Sequence, residues 1–190
     1  MSKIFTLKET LYHGTSTFRA FESIDLLAGN GYHDFGRGFY MAYTKNHSVN
    51  RAKNVARKDK LFAEKHKIAV RNPIKGILYT YKTNPSALKS LKVKVFETAD
   101  MDWMKFVIKC RESDDTPHDY DIVIGPTADD DTILCFNMYN EGVYGDKKSI
   151  KAMSVLLNNL EVYNLGTQVF IGTEKGLSIL DQGSRKEEIV

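Results

Sequence analysis

Gly36-Arg37-Gly38-Phe39-Tyr40-Met41-Ala42 is the stretch on which the reading of this chain turns. Two glycines one residue apart let a loop turn sharply, because glycine reaches backbone angles that a Cβ disfavours. An aromatic and apolar run follows at once and predicts a short strand from Phe39 to Tyr43. Alternation along it puts Tyr40 and Ala42 on one face and Phe39, Met41 and Tyr43 on the other. A glycine loop therefore hands a phenol to one face of a sheet.

Upstream, residues 19 to 38 hold Gly29, Gly31, Gly36 and Gly38 with little periodicity. They read as a long loop with at most one helical turn near Ser23 to Leu27, and such loops inside a domain are often functional. Before the loop, Leu11-Tyr12-His13 reads as the end of a strand closed by Gly14. After the strand, Thr44 fits a helix N-cap. Lys45 to about Lys67 predicts a long basic helix with Val49, Ala52, Val55 and Ala56 on one side.

Further strands are predicted at Gly76 to Tyr81, Leu91 to Glu97, Asp121 to Pro126 and Gln168 to Gly172. Helices are predicted from Asp102 to Arg111, capped by Asp100 or Thr98, and from Asp130 to Glu141. Two more are capped by Ser149 and Thr173. Trp103, Phe106, Val107 and Cys110 fall at helical spacing and read as core. Residues 1–181 make one domain, and the polar residues 182–190 read as a frayed tail. Strands and helices mix without regular βαβ alternation, which favours an α+β fold.

The 190 residues are 42% hydrophobic, yet no apolar run approaches the ~20 residues that span a bilayer. Met1-Ser2-Lys3-Ile4-Phe5 lacks the apolar segment of a secretory signal. Cys110 and Cys135 have no metal-ligand spacing and sit in apolar segments, so they read as reduced core residues in a cytoplasmic protein. A net charge of +3 is too mild to identify a nucleic-acid binder. Basic residues nonetheless crowd from Lys45 to Arg71, opposed only by Asp59 and Glu64. That asymmetry suits a polyanion, the phosphates of a cofactor, or simply a solvated helix face. Asp129-Asp130-Asp131 reads as a helix start complementing the dipole, so no metal site is expected.

Three segments acquire meaning together: Tyr12-His13-Gly14-Thr15, Gly36 to Ala42, and Thr167-Gln168-Val169-Phe170. Their order and residue types resemble the ADP-ribosyltransferase superfamily in its His-Tyr-Glu branch. Gly36 to Ala42 is similar to the glycine-lysine-glycine-apolar-tyrosine-apolar-alanine stretch of poly-ADP-ribose polymerases. Leu11 to Ser16, Ile24-Asp25-Leu26, Asp34 to Tyr40, Asp121 to Pro126 and Ala128-Asp129-Asp130 further resemble a bacterial group of ADP-ribosyltransferase-like proteins. Its members look like toxin or effector components, some encoded beside small antitoxin proteins.

The resemblance covers nearly the whole chain. It implies a split β-sandwich of two antiparallel sheets with peripheral helices, and NAD as substrate. It also implies mono-ADP-ribosyl transfer to a protein or nucleic-acid acceptor, with a small antitoxin protein as partner. His13, Tyr40 and Gln168 match the catalytic positions. His13, Gly14, Thr15, Gly36, Arg37, Gly38, Tyr40 and Thr44 match the NAD-binding ones.

The chemistry needs these residue types. Breaking the ribose–nicotinamide bond builds positive charge at the anomeric carbon, as in glycoside cleavage. A histidine holds a ribose hydroxyl, a glycine offers its backbone to the carboxamide, and a ring stacks on nicotinamide. A carboxylate then offsets the charge. Here the third position is Gln168, not glutamate. Its amide binds a hydroxyl but carries no charge, and loss of one such stabiliser costs ~10²–10³ in rate. Two other readings follow from that departure. One is a non-catalytic NAD- or ADP-ribose-binding module. The other is an interaction protein of a toxin–antitoxin complex that kept the fold.

Overall fold

The computed structural model describes residues 7–29, 31–128, 133–161 and 166–190. The β-forming runs become strands β1 (Thr10–Ser16), β2 (Phe39–Ala42), β3 (Gly76–Thr83), β4 (Val93–Val95), β5 (Ile122–Pro126), β6 (Thr167–Ile171) and β7 (Leu180–Ile189). The α-helices are α1 (Lys45–Lys65), α2 (Met101–Arg111), α3 (Ile133–Asn140) and α4 (Ile150–Glu161). The strands form one seven-stranded sheet in the order β4-β5-β6-β2-β1-β3-β7. All neighbours are antiparallel except β4 and β5, which run parallel. The fold is α+β. Instead of two separate antiparallel sheets, backbone hydrogen bonds join all strands into one mixed sheet.

That sheet is nearly divided. β1 pairs with β3 along its whole length, from Thr10↔Lys82 to Ser16↔Gly76. With β2 it is in register only at Tyr12↔Ala42. The halves are thus β7-β3-β1 and β2-β6-β5-β4. One buried cluster joins Leu11, Ile77 and Tyr79 of the first half to Phe39, Met41, Ile124, Val169 and Ile171 of the second. No α-helical residue belongs to it. The halves therefore cover each other on this face, where each fully buried aliphatic or aromatic side chain contributes about 1.5–3 kcal/mol.

On the other face, α2, α3 and α4 supply Trp103, Val107, Phe136, Tyr139, Ala152 and Leu156 against Val123 and Phe170. Trp103, Val107 and Cys110 are buried as their spacing predicts, but Phe106 is only half-buried at the rim. α2 starts at Asp100, whose Oδ1 accepts from Trp103 N at 2.9 Å, so Asp100 rather than Thr98 is the cap. α1 buries small residues, Ser48, Ala52, Ala56 and Ala63, which lets its backbone approach the sheet closely. Cys110 and Cys135 are free and buried, and burial pushes the Cys110 thiol up to about 12.

Three local expectations change. Gly14 lies inside β1 rather than closing it. Residues 23–27 form no helix; the one helical turn of that region is a 3₁₀ turn at Thr17–Arg19. Residues 182–190 are no frayed tail: most belong to β7, paired with β3 from Thr83↔Leu180 to Ile77↔Ile189. The Arg185 guanidinium lies 4.6 Å from the Tyr79 ring centroid, and Lys45 Nζ meets Glu188 at 2.7 Å. The domain therefore extends through β7. Asp129-Asp130-Asp131, and the helix start predicted there, lie outside the described residues. Among the described residues no helix is long and apolar enough to cross a membrane.

Candidate functional site

The three motif segments, far apart in the chain, lie on the adjacent strands β1, β2 and β6. Ala42 stands opposite both Tyr12 of β1 and Gln168 of β6. Residues directly opposed in antiparallel strands share a face. Tyr12, Gly14, Tyr40, Ala42, Gln168 and Phe170 therefore line one face. His13 and Thr15 point to the other, with Phe39 and Tyr79.

The His13 ring stacks on Phe39 at 4.4 Å and meets the edge of Phe21 at 5.8 Å. Its Nδ1 nevertheless reaches across the seam to Tyr40 O at 2.7 Å. A carbonyl only accepts, so Nδ1 carries the proton and Nε2 keeps its lone pair. Burial pushes the His13 pKa down to about 4, against the backbone hydrogen bond that favours the charged form. The imidazole is neutral at pH 7.

Tyr40 uses its hydroxyl to close its own loop. It donates to Gly36 O at 2.6 Å and accepts from Phe35 N at 3.0 Å. Burial, then the Asp34 charge, holds this phenol well above its usual range. Gly36 sits at φ +91°, where a side chain is strained, so the loop requires glycine there. At Gly38 a Cβ would stand 2.4 Å from the Phe170 ring and 2.5 Å from Ile171 O. At Gly14 it would stand 1.9 Å from Ser48 O, so this glycine admits α1 to the sheet.

Gln168 is buried, and its Nε2 donates to Asp34 Oδ2 at 2.8 Å and to Pro126 O at 3.4 Å. The Asp34 carboxylate is also buried. Its Oδ1 accepts from Arg111, at 2.8 Å from Nε and 2.6 Å from the terminal nitrogen. Its Oδ2 accepts from Ala128 N at 2.8 Å. A carboxylate from the loop, a guanidinium from α2 and the amide of β6 thus form one network, with the negative charge one hydrogen bond from Gln168.

Arg37 turns away from this network. Its guanidinium pairs with Asp114 at 3.1 Å, and its backbone exchanges hydrogen bonds with the Thr116 hydroxyl, both 3.0 Å. His118 Nδ1 accepts from Tyr120 N, so its Nε2 donates to Phe35 O at 2.9 Å. The glycine loop is therefore fastened along the 111–118 segment. Thr44 precedes α1 without a side-chain capping bond.

Sequence reasoning missed four participants. Asp34 and Arg111 are 77 positions apart, and nothing local pairs them. Thr116 looks like any loop threonine. Ser48, whose Oγ donates to Tyr12 O at 3.1 Å beside Gly14, sits at a helical position that reads as ordinary. Two surface hollows lie elsewhere: about 450 Å³ at the end of α1, and about 300 Å³ between β4 and α2. Neither is lined by His13, Tyr40 or Gln168.

Fold and site define an α+β domain whose nearly divided sheet carries a glycine loop locked by a buried Asp–Arg–Gln network. The chain belongs to the DUF3990 family, described as proteins of unknown function, whose family model matches residues 10–181. No curated protein and no solved structure matches it.

Proposed function

We propose that this chain binds NAD where β1, β2 and β6 meet and transfers its ADP-ribosyl group to a macromolecule. The observation that carries this reading is the position of Ala42, opposite Tyr12 and Gln168 at once, which gathers the three motifs at one seam. The near-division of the sheet, with the halves packed on each other, supports an ADP-ribosyltransferase-like split β-sandwich.

In the reaction the ribose–nicotinamide bond breaks and its electron pair leaves with neutral nicotinamide. The acceptor's lone pair takes the anomeric carbon, and the acceptor gives up its proton. His13 lies on the opposite face from Gln168, so its Nδ1, donating to Tyr40 O, holds the β2 backbone behind the site and acts on the ribose only through that strand. The Gln168 amide oxygen accepts from the hydroxyl beside the reacting carbon. Donation from Nε2 to Asp34 enriches that oxygen in electron density. Asp34 thereby supplies, through an amide, part of the charge that a glutamate would bring directly. As the resemblance implies, the setting is a toxin or effector held in check by a small antitoxin protein; the two free cysteines favour the cytoplasm as its compartment.

Incubation with NAD labelled in both halves, in cell lysate, tests this. Release of free nicotinamide with label on a macromolecule is expected; absence of both overturns the reading. One observation favours a second reading, a non-catalytic NAD- or ADP-ribose-binding module: Gln168 has no charge of its own, and its NH₂ is already engaged by Asp34. Calorimetric NAD binding without nicotinamide release selects that alternative.

A further inference from the structure

The hollow of about 300 Å³ between β4 and α2 is not part of the site above, and its chemistry is specific. Asp102, Lys105, Phe106 and Lys109 recur at i, i+3, i+4 and i+7, so they share one face of α2. Lys94 on β4 and Phe96 just beyond it complete the lining. The Phe96 and Phe106 rings lie 5.2 Å apart, and Lys94 Nζ stands 4.9 Å from the Phe96 centroid. Lys94 and Lys105 therefore stand with Asp102 around the Phe96–Phe106 pair, while Lys109 Nζ donates to Pro117 O at 2.9 Å.

We propose that this hollow holds a nucleotide unit of a single-stranded nucleic acid. Each group has a counterpart in such a ligand. Phe96 is buried beneath Lys94, so the half-buried Phe106 ring is the one that meets a base, with the sequence tolerance typical of single-strand binding. Lysines at the rim neutralise phosphates on either side of the stacked unit. Asp102 accepts from a base N–H or exocyclic amine, a donor that an acidic peptide side chain or a phosphotyrosine ring lacks. Phe106, which helical spacing alone assigned to the core, is half-buried, so part of the side chain stays accessible to a base.

The hollow also lies near the seam. Phe96 N donates to Ile124 O at 2.8 Å, which fastens Phe96 beside β5. A Cβ on Gly125 would meet Phe96 Cβ at 3.1 Å, and Gly125 stands opposite Gln168. β4, β5 and β6 are successive strands, so the Phe96–Phe106 pair is roughly 10 Å from Gln168 at ordinary strand spacing. Strand binding stands independently of NAD chemistry. As the identity of the acceptor, it rests on the transfer reading above.

Fluorescence polarisation with labelled ten-nucleotide adenine DNA and RNA, without NAD, tests the proposal. Lys94→Glu with Lys105→Glu is expected to weaken binding at least tenfold. It should also reduce the slope of log affinity against log salt by about 1.4, since each lost phosphate contact accounts for about 0.7. Phe106→Leu, which keeps the packing volume close, should weaken binding roughly tenfold. Lys67→Glu, in the other hollow, should leave it unchanged. No strand binding, unaltered binding by the β4–α2 variants, or equal competition by AMP or polyglutamate overturns the proposal. Nicotinamide release from labelled NAD, read on the same preparations, separates the two ideas: strand binding without release keeps this one and removes the transfer, and release without strand binding does the reverse.

Discussion

Gln168 Nε2 donates to Asp34 Oδ2 at 2.8 Å, tying β6 to the glycine loop across 134 positions. The amide is therefore part of a charged, buried network rather than an isolated polar group. The Asp34 carboxylate is one hydrogen bond away, and a carboxylate at residue 168 would face it directly.

Gln168→Glu alone should therefore destabilise the fold. Two buried carboxylates in hydrogen-bond contact cannot both ionise without a large penalty. Arg111 offsets only part of it, and the loss should be about 3 kcal/mol at pH 7. The exchange Asp34→Asn with Gln168→Glu keeps one amide and one acid, so it should recover most of that loss in urea unfolding. If charge at residue 168 limits NAD cleavage, the exchanged chain should release nicotinamide up to ~10²-fold faster than wild type.

His13 makes stability depend on pH between its two states. Its folded pKa is about 4, against about 6.5 in an unfolded chain. Between these values the unfolded chain binds a proton that the folded chain refuses. Stability is complete above pH 6.5 and falls as pH drops toward 4, by an amount on the order of 2 kcal/mol for this partly accessible ring. Burial also lowers the pKa values of His33 and His118, which act in the same direction. The readout is thus a difference: His13→Phe should flatten the slope of unfolding free energy between pH 6.5 and 4.5 relative to wild type.

Tyr40→Phe should loosen the glycine loop while leaving the sheet intact. It removes the donor to Gly36 O and the acceptor for Phe35 N. The expected loss is about 1–2 kcal/mol. Hydrogen exchange should accelerate at Phe35 and change little along β3.

Gly14→Ala should cost about 3 kcal/mol or abolish folding, because the new methyl meets the Ser48 carbonyl at 1.9 Å and backbone cannot step aside. Gly29→Ala is the control. Nothing lies within 4 Å of that Cβ, so thermal unfolding should shift by no more than about 0.5 kcal/mol.

Much of the fold is legible where side chains alternate or recur at helical spacing. β2, β3, β5 and β6 are apolar enough to announce themselves, and so is most of the stripe of α2, but the choice of Asp100 over Thr98 as its cap needs the hydrogen bond to Trp103 N. β7 is not legible in this way. Its residues from Asp181 onward are mostly exposed, and backbone pairing with β3 holds it. Its charges are those of an edge strand that resists joining other chains, and in sequence they read as a tail. The site divides along the same line. Gly38 and Tyr40 follow from local pattern, because a glycine turn before an aromatic strand is a local device. The face that His13 takes depends on strand register, and the Asp34–Arg111–Gln168 network on partners brought together from three separate elements.

The single registered pair Tyr12↔Ala42 leaves the two panels of the sheet joined by a narrow crease. Each panel has its own backbone ladder, so each resists opening largely on its own account. A molecule lodged along the crease grips both panels and makes them open together. Occupancy there would thus register as a change in how the whole domain comes apart, well beyond the few residues touched.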